Sequence, residues 1–116
     1  MANKLILWGR KSSCNVQKVL WTLHELDLPF EHLEVGGVHG GLDDPDYMAL
    51  NPNRLVPTLQ DGDLTVWESH AIVRYLCGAY GQTSLWRIDP RERALVDQWA
   101  DWTATTFQPA WINLFW

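Results

Sequence analysis

Basic residues are scarce in this 116-residue chain: nine Lys and Arg stand against fourteen Asp and Glu, a formal net charge of −5. Without a basic field, neither nucleic acid nor an anionic membrane surface is an expected partner. Cysteine is nearly absent as well. Cys14 and Cys77 make no CxxC pair and no zinc-ligand spacing, so no metal site is expected and a reduced, cytoplasmic setting fits. The first residues lack the basic-then-apolar layout of a secretory signal. No apolar run approaches the roughly 18 residues that a membrane helix needs. Internal repeats and low-complexity tracts are missing too. What is present suits a soluble globular protein, with 47% hydrophobic and 20% charged residues. The length allows one domain, or one domain and a piece of another, with a real core. Tryptophan is the excess. Of eight, Trp99, Trp102, Trp111 and Trp116 lie near the C-terminal end, the region that most needs something to pack against.

The rest of the chain is arranged around residues 9–19, GRKSSCNVQKV. Residues 4–8 read as a short buried strand, and Gly9 breaks it. Ser12 and Ser13 stand where a helix N-cap belongs, ahead of the helical spacing Val16, Val19, Leu20, Leu23 and Leu26. A helix start has unpaired N–H groups and a positive dipole end, which favour anions and lower the pKa of a thiol held there. Two readings follow. Ser12, Ser13, Cys14 and Asn15 form a thiolate site, or a serine simply caps the helix.

Pro29 stops this helix, and residues 30–35 read as a second strand, parallel to the first through a right-handed crossover. Gly36, Gly37, Gly40 and Gly41 make a loop too glycine-rich for regular structure, either a cover for a ligand or a plain connector. Asp43, Asp44 and Pro45 begin a short helix through Leu50. In residues 51–61, NPNRLVPTLQD, Val56-Pro57 leads straight into strand-forming Thr58 and Leu59. A cis bond there would turn the Val56 N–H and C=O sideways toward an extended peptide ligand; the alternative is a trans, edge-strand proline. Asp61-Gly62-Asp63 turns a hairpin between residues 58–60 and 64–67. Glu68 and Ser69 then open a helix with Ala71, Ile72, Tyr75, Leu76 and Ala79 on its apolar side. That pair either grips an α-amino acid end, acid to ammonium and N–H to carboxylate, or is an ordinary cap. Residues 81–89 are a linker, Pro90 starts a last helix capped by Asp89, and Pro109 should kink or divide it near Gln108. Its aromatic stripe reads as core packing and not as a cofactor site.

Three stretches, GRKSSCNVQKVLWTL, NPNRLVPTLQDGDLTVWESHAIVRYL and DPRERALVDQWADW, resemble glutathione transferases, most closely bacterial members with serine or threonine at the first helix. The resemblance implies an α/β fold: a thioredoxin-like βαβ-α-ββα domain with a mixed four-stranded sheet over residues 1–81, a linker at 82–89, and at 90–116 the start of an all-helical domain. It implies that the Ser13 hydroxyl stabilises the glutathione thiolate, with Asn15 near the same sulfur. Val56, before a cis Pro57, would pair with the cysteinyl unit. Glu68 and Ser69 would hold the γ-glutamyl end, while Arg54 and His39 would meet the glycine carboxylate. The implied reaction is conjugation of glutathione, as co-substrate, to a small electrophile in a cytoplasmic homodimer with a role in detoxification. Cys14 directly after Ser13 offers a competing nucleophile and thiol-transferase chemistry, and the Ser-Ser-Cys run is also similar to the zeta class, which includes isomerases. In the family, further helices supply the pocket for the electrophile, whereas this chain reaches only the first one or two. The expectation is therefore a truncated protein that dimerises or exchanges its last helix, and a non-catalytic glutathione-binding module is a further reading.

Overall fold

The computed structural model describes residues 4–81 and 85–115. Part of the linker, residues 82–84, and Trp116 of the tryptophan cluster lie outside them. The chain forms two compact units, residues 1–81 and 82–116.

The first unit runs β1 (Leu5–Trp8), α1 (Cys14–Glu25), β2 (Glu31–Leu33), a 3-10 turn (Gly37–His39), α2 (Pro45–Leu50), β3 (Thr58–Asp61), β4 (Leu64–Trp67) and α3 (Ser69–Tyr80). The sheet has the order β2-β1-β3-β4, with β1 parallel to β2 and the other neighbours antiparallel. Strand alternation sends Leu5 and Leu7 of β1 to one face, where they meet Val16, Val19 and Leu23 of α1, Leu59 of β3, and Ile72 and Leu76 of α3. Each of these is at most 3% exposed, and removing one such leucine side chain costs about 2–5 kcal/mol. Trp8 points the other way, and its ring centroid lies 5.8 Å from that of Tyr47 on α2.

Several boundaries differ from the sequence reading. The glycine loop winds one 3-10 turn, and β2 ends at Leu33, beyond which the Gly9 and Arg10 N–H groups still donate to the Leu33 and Val35 carbonyls at 2.9 Å each. On α3, Ile72 and Leu76 are buried, but Ala71 and Ala79 are exposed and belong to the outer face.

The second unit contains α4 (Pro90–Trp102), a π-helical turn (Thr103–Phe107) and α5 (Gln108–Phe115). Asp89 caps α4 by accepting from the Glu92 N–H at 3.3 Å. The interruption precedes Pro109, which has no N–H for the Thr105 carbonyl and whose ring crowds it; widening the turn relieves the clash. The aromatic stripe is not core among the described residues. Trp99, Trp102 and Phe107 are exposed and touch one another in sequence, at centroid distances of 5.6 and 5.4 Å.

Candidate functional site

One rung of the sheet gathers the site. Trp8, the last residue of β1, pairs with Thr58, the first of β3, and Thr58 pairs with Trp67, the last of β4. The segments that continue from this rung are Gly9 to Ser13, Val56-Pro57 and Glu68-Ser69. All three emerge at the same end of the sheet. Gly9 lets them close up: a Cβ at Gly9 would lie 2.5 Å from Val16 Cγ2 and 3.1 Å from Val56 Cβ, so only glycine fits between α1 and the Val56 loop.

Ser13 is the N-cap of α1 and only 8% exposed; its hydroxyl oxygen accepts from the Val16 N–H at 3.4 Å. The capping reading is therefore realised. It uses a lone pair and not the proton, which has no acceptor among the described residues. Cys14 is the first residue of α1 and a half-buried free thiol. Asn15 is half-buried, and its Oδ1 accepts from Lys18 Nζ at 3.0 Å, while the same ammonium lies 3.1 Å from His70 Nε2. Burial holds the Lys18 ammonium below its ordinary pKa, and the charge of the nearby Cys14 works against that shift.

The Val56–Pro57 peptide is cis. Among the described residues, no backbone hydrogen bond engages the Val56 N–H or C=O. Around them, Leu55 and Thr58 are held by a buried polar cluster from α2: the Tyr47 hydroxyl donates to the Leu55 carbonyl at 2.5 Å, and Asn51 Nδ2 donates to the same carbonyl at 3.0 Å.

Glu68 occupies the N-cap position of α3 with φ 78°, yet its side chain makes no capping hydrogen bond and is exposed. The ordinary-cap reading of this acid is corrected: the carboxylate accepts from no N–H of the helix start. Ser69, half-buried, is the first helical residue. Arg54 also has a positive φ, of 56°, and its Nη1 lies 3.1 Å from Asp43 Oδ1. Among the described residues only three non-glycines have positive φ, and two of them are Arg54 and Glu68. Such conformations cost about 1–3 kcal/mol and concentrate where a side chain must be aimed. His39 faces Glu34 instead of an open position, with Nε2 3.3 Å from Oε2. The Lys11 N–H, donating to Glu34, is the main cause that holds this carboxyl below its usual pKa.

Tyr47, Asn51, Lys18 and Glu34 carry no local signature in the sequence. Their partners are brought to them by the fold.

A βαβ unit followed by α2, an antiparallel hairpin entered through a cis-proline, and a closing helix define a thioredoxin-like domain with polar groups at two helix starts. A family model described as the glutathione S-transferase N-terminal domain matches residues 7–84. The chain belongs to the glutathione S-transferase family. It is 50% identical over 108 residues to glutathione S-transferase GstB of Escherichia coli (strain K12), a match covering 91% of this chain and 52% of GstB. It is 36% identical over 104 residues to the probable glutathione S-transferase GSTF2 of Oryza sativa subsp. japonica, covering 90% and 48%. Among solved structures, the theta class glutathione S-transferase from Xanthomonas axonopodis pv. citri, with glutathione bound, aligns with a TM-score of 0.95 at 51% identity over 98% of this chain and 55% of that one. The chain spans about half the length of the relatives it matches.

Proposed function

We propose that this chain is the glutathione-binding part of a glutathione transferase that conjugates glutathione to a small electrophile. The observation that carries the reading is the Ser13 hydroxyl: it is fixed at the N-terminus of α1 by accepting from Val16, and its proton is left to donate to a thiolate. The bound glutathione of the similar Xanthomonas structure supports the choice of thiol.

In this reading Ser13 and the positive end of α1 stabilise the glutathione thiolate. Asn15, whose oxygen accepts from Lys18, lies near the same sulfur. Val56, ahead of Pro57, offers its N–H and C=O to the cysteinyl unit. Glu68 holds the γ-glutamyl ammonium, and Ser69 with the first N–H groups of α3 holds the carboxylate. Arg54, and secondarily His39, meets the glycine carboxylate. The thiolate then attacks the electrophilic carbon, forming the C–S bond while the leaving group departs with its electron pair. Residues 1–81 act as the glutathione-binding domain, 82–89 as the linker, and 90–116 as the start of the helical domain. A homodimer in the cytoplasm with a role in detoxification completes the proposal.

A second reading rests on Cys14, a free thiol at the same helix start with Lys18 in electrostatic reach. Its thiolate would attack a glutathione disulfide, form a mixed disulfide and release the other thiol. Substitution separates the two. Loss of conjugation in Ser13→Ala with Cys14→Ala unaffected supports the first, and the reverse supports the second. If glutathione binds and neither variant changes any turnover, the chain is a binding module.

A further inference from the structure

The α2 helix has no residue among those expected to touch glutathione, yet three of the most buried polar groups in the first unit meet beneath the Val56 loop. Tyr47 and Asn51 are each 2% exposed and Thr58 is fully buried. Their protons can be placed in only one economical way. Asn51 Oδ1 accepts from the Asn53 N–H and Nδ2, both at 3.0 Å, which fixes the other end of its amide as the donor. That Nδ2 donates to the Leu55 carbonyl at 3.0 Å and to Thr58 Oγ1 at 3.1 Å. The Tyr47 hydroxyl gives its single proton to the Leu55 carbonyl at 2.5 Å, so at the 2.8 Å contact it accepts from the Thr58 hydroxyl. The cluster is closed, with every polar atom paired.

Its placement is specific. It grips the carbonyl of the residue before Val56 and the side chain of the residue after Pro57, and leaves the two residues between them unheld. We infer that Tyr47 and Asn51 are positioning residues: they fix Val56 from below so that its N–H and C=O are presented together to the peptide part of the ligand. This rests on the glutathione-binding reading above. Preorganising those two groups lowers the ordering cost of binding, so the cluster acts on affinity for glutathione and not on its ionisation. Trp8, whose ring lies against Tyr47, ties the same device to the central rung of the sheet.

The test uses the full chain with Tyr47→Phe, Thr58→Val and Thr58→Ser, and two readouts. Glutathione affinity by calorimetry should weaken roughly tenfold in Tyr47→Phe and Thr58→Val, while Thr58→Ser, which keeps the hydroxyl, binds as the wild type does. The pKa of bound glutathione should be unchanged in all three. Without ligand, backbone order at Leu55, Val56 and Thr58 by NMR relaxation should fall from about 0.85 toward 0.6 in Tyr47→Phe. Unchanged order in that variant overturns the inference whatever the binding shows. Wild-type affinity in Tyr47→Phe overturns it too, as does an equal loss in Thr58→Ser. If the wild type itself binds no glutathione, the functional reading fails, and the ligand-free measurement still decides whether the cluster holds the loop.

Discussion

Trp8 and Thr58 are register partners across the antiparallel β1–β3 pair, and Thr58 is also the partner of Trp67. Because side chains alternate along a strand, a slip of one residue would send either Leu7 or Leu59 out of the core. The apolar pattern therefore locks the rung, and the rung decides which backbone segments share an end of the sheet. Three polar segments, far apart in the chain, become neighbours through a requirement that is purely hydrophobic.

Ser13 has two functions, and substitution can part them. Replacing an N-cap serine by alanine costs about 0.5–2 kcal/mol of stability, and by glycine only a few tenths. Ser13→Gly should therefore fold nearly as well as the wild type while lacking the hydroxyl. Bound glutathione, followed by its ultraviolet thiolate absorbance, should ionise below the ordinary thiol value of about 8.5 in the wild type and roughly one unit higher in Ser13→Gly. Equal ionisation in both would remove Ser13 from the mechanism and leave only its cap.

Lys18 joins α1 to α3 within two positions of Ser13 and Ser69 through Asn15 and His70. Lys18→Met should raise the thiol pKa of bound glutathione, though less than Ser13→Gly does, and Lys18→Arg should keep it close to the wild-type value. Partly exposed charge contacts of this kind contribute about 0–1 kcal/mol, so the melting temperature should move little. A large loss of stability without a change in thiol ionisation would make Lys18 purely structural.

At the other end of β3, Asp61 is 2% exposed and accepts from two phenols, Tyr75 at 2.5 Å and Tyr80 at 2.6 Å. The hydrogen bond to Asp61 is the main cause that pushes both phenols above the ordinary tyrosine value. A raised folded-state pKa contributes stability that is full below about pH 10, the unfolded value, and is lost as pH rises through the folded one. Lowered Lys18 acts with the opposite sign near the same range. Tyr75→Phe should cost about 1–3 kcal/mol at neutral pH, and its stability should fall less steeply than the wild type's above pH 10. Chemical denaturation at neutral and alkaline pH measures both.

Much of the fold was legible because its signals are local: a serine before a helical apolar pattern, Asp-Gly-Asp between two strand-like runs, proline at a helix start. The rest was not. Lys18 and His70 are 52 residues apart in the chain, and Asp61 meets its phenols 14 and 19 residues later, so nothing near any of them announces the contact. Glu68 shows a subtler gap. An acid before a helix reads as a cap, yet Glu68, at φ 78°, makes no capping hydrogen bond. The Tyr47 cluster was hidden for a different reason: tyrosine and asparagine on a short helix are unremarkable until the loop folds over them.

Glutathione binding by calorimetry on the 116-residue chain, repeated with Glu68→Gln and with Ser69→Ala, tests the central claim most directly. Glu68 is exposed and caps nothing, so Glu68→Gln should leave stability within about 0.5 kcal/mol while weakening glutathione roughly tenfold or more, and Ser69→Ala should weaken it as well. A folded wild-type chain that binds no glutathione, or one whose affinity is the same in all three proteins, would contradict the site described for residues 1–81.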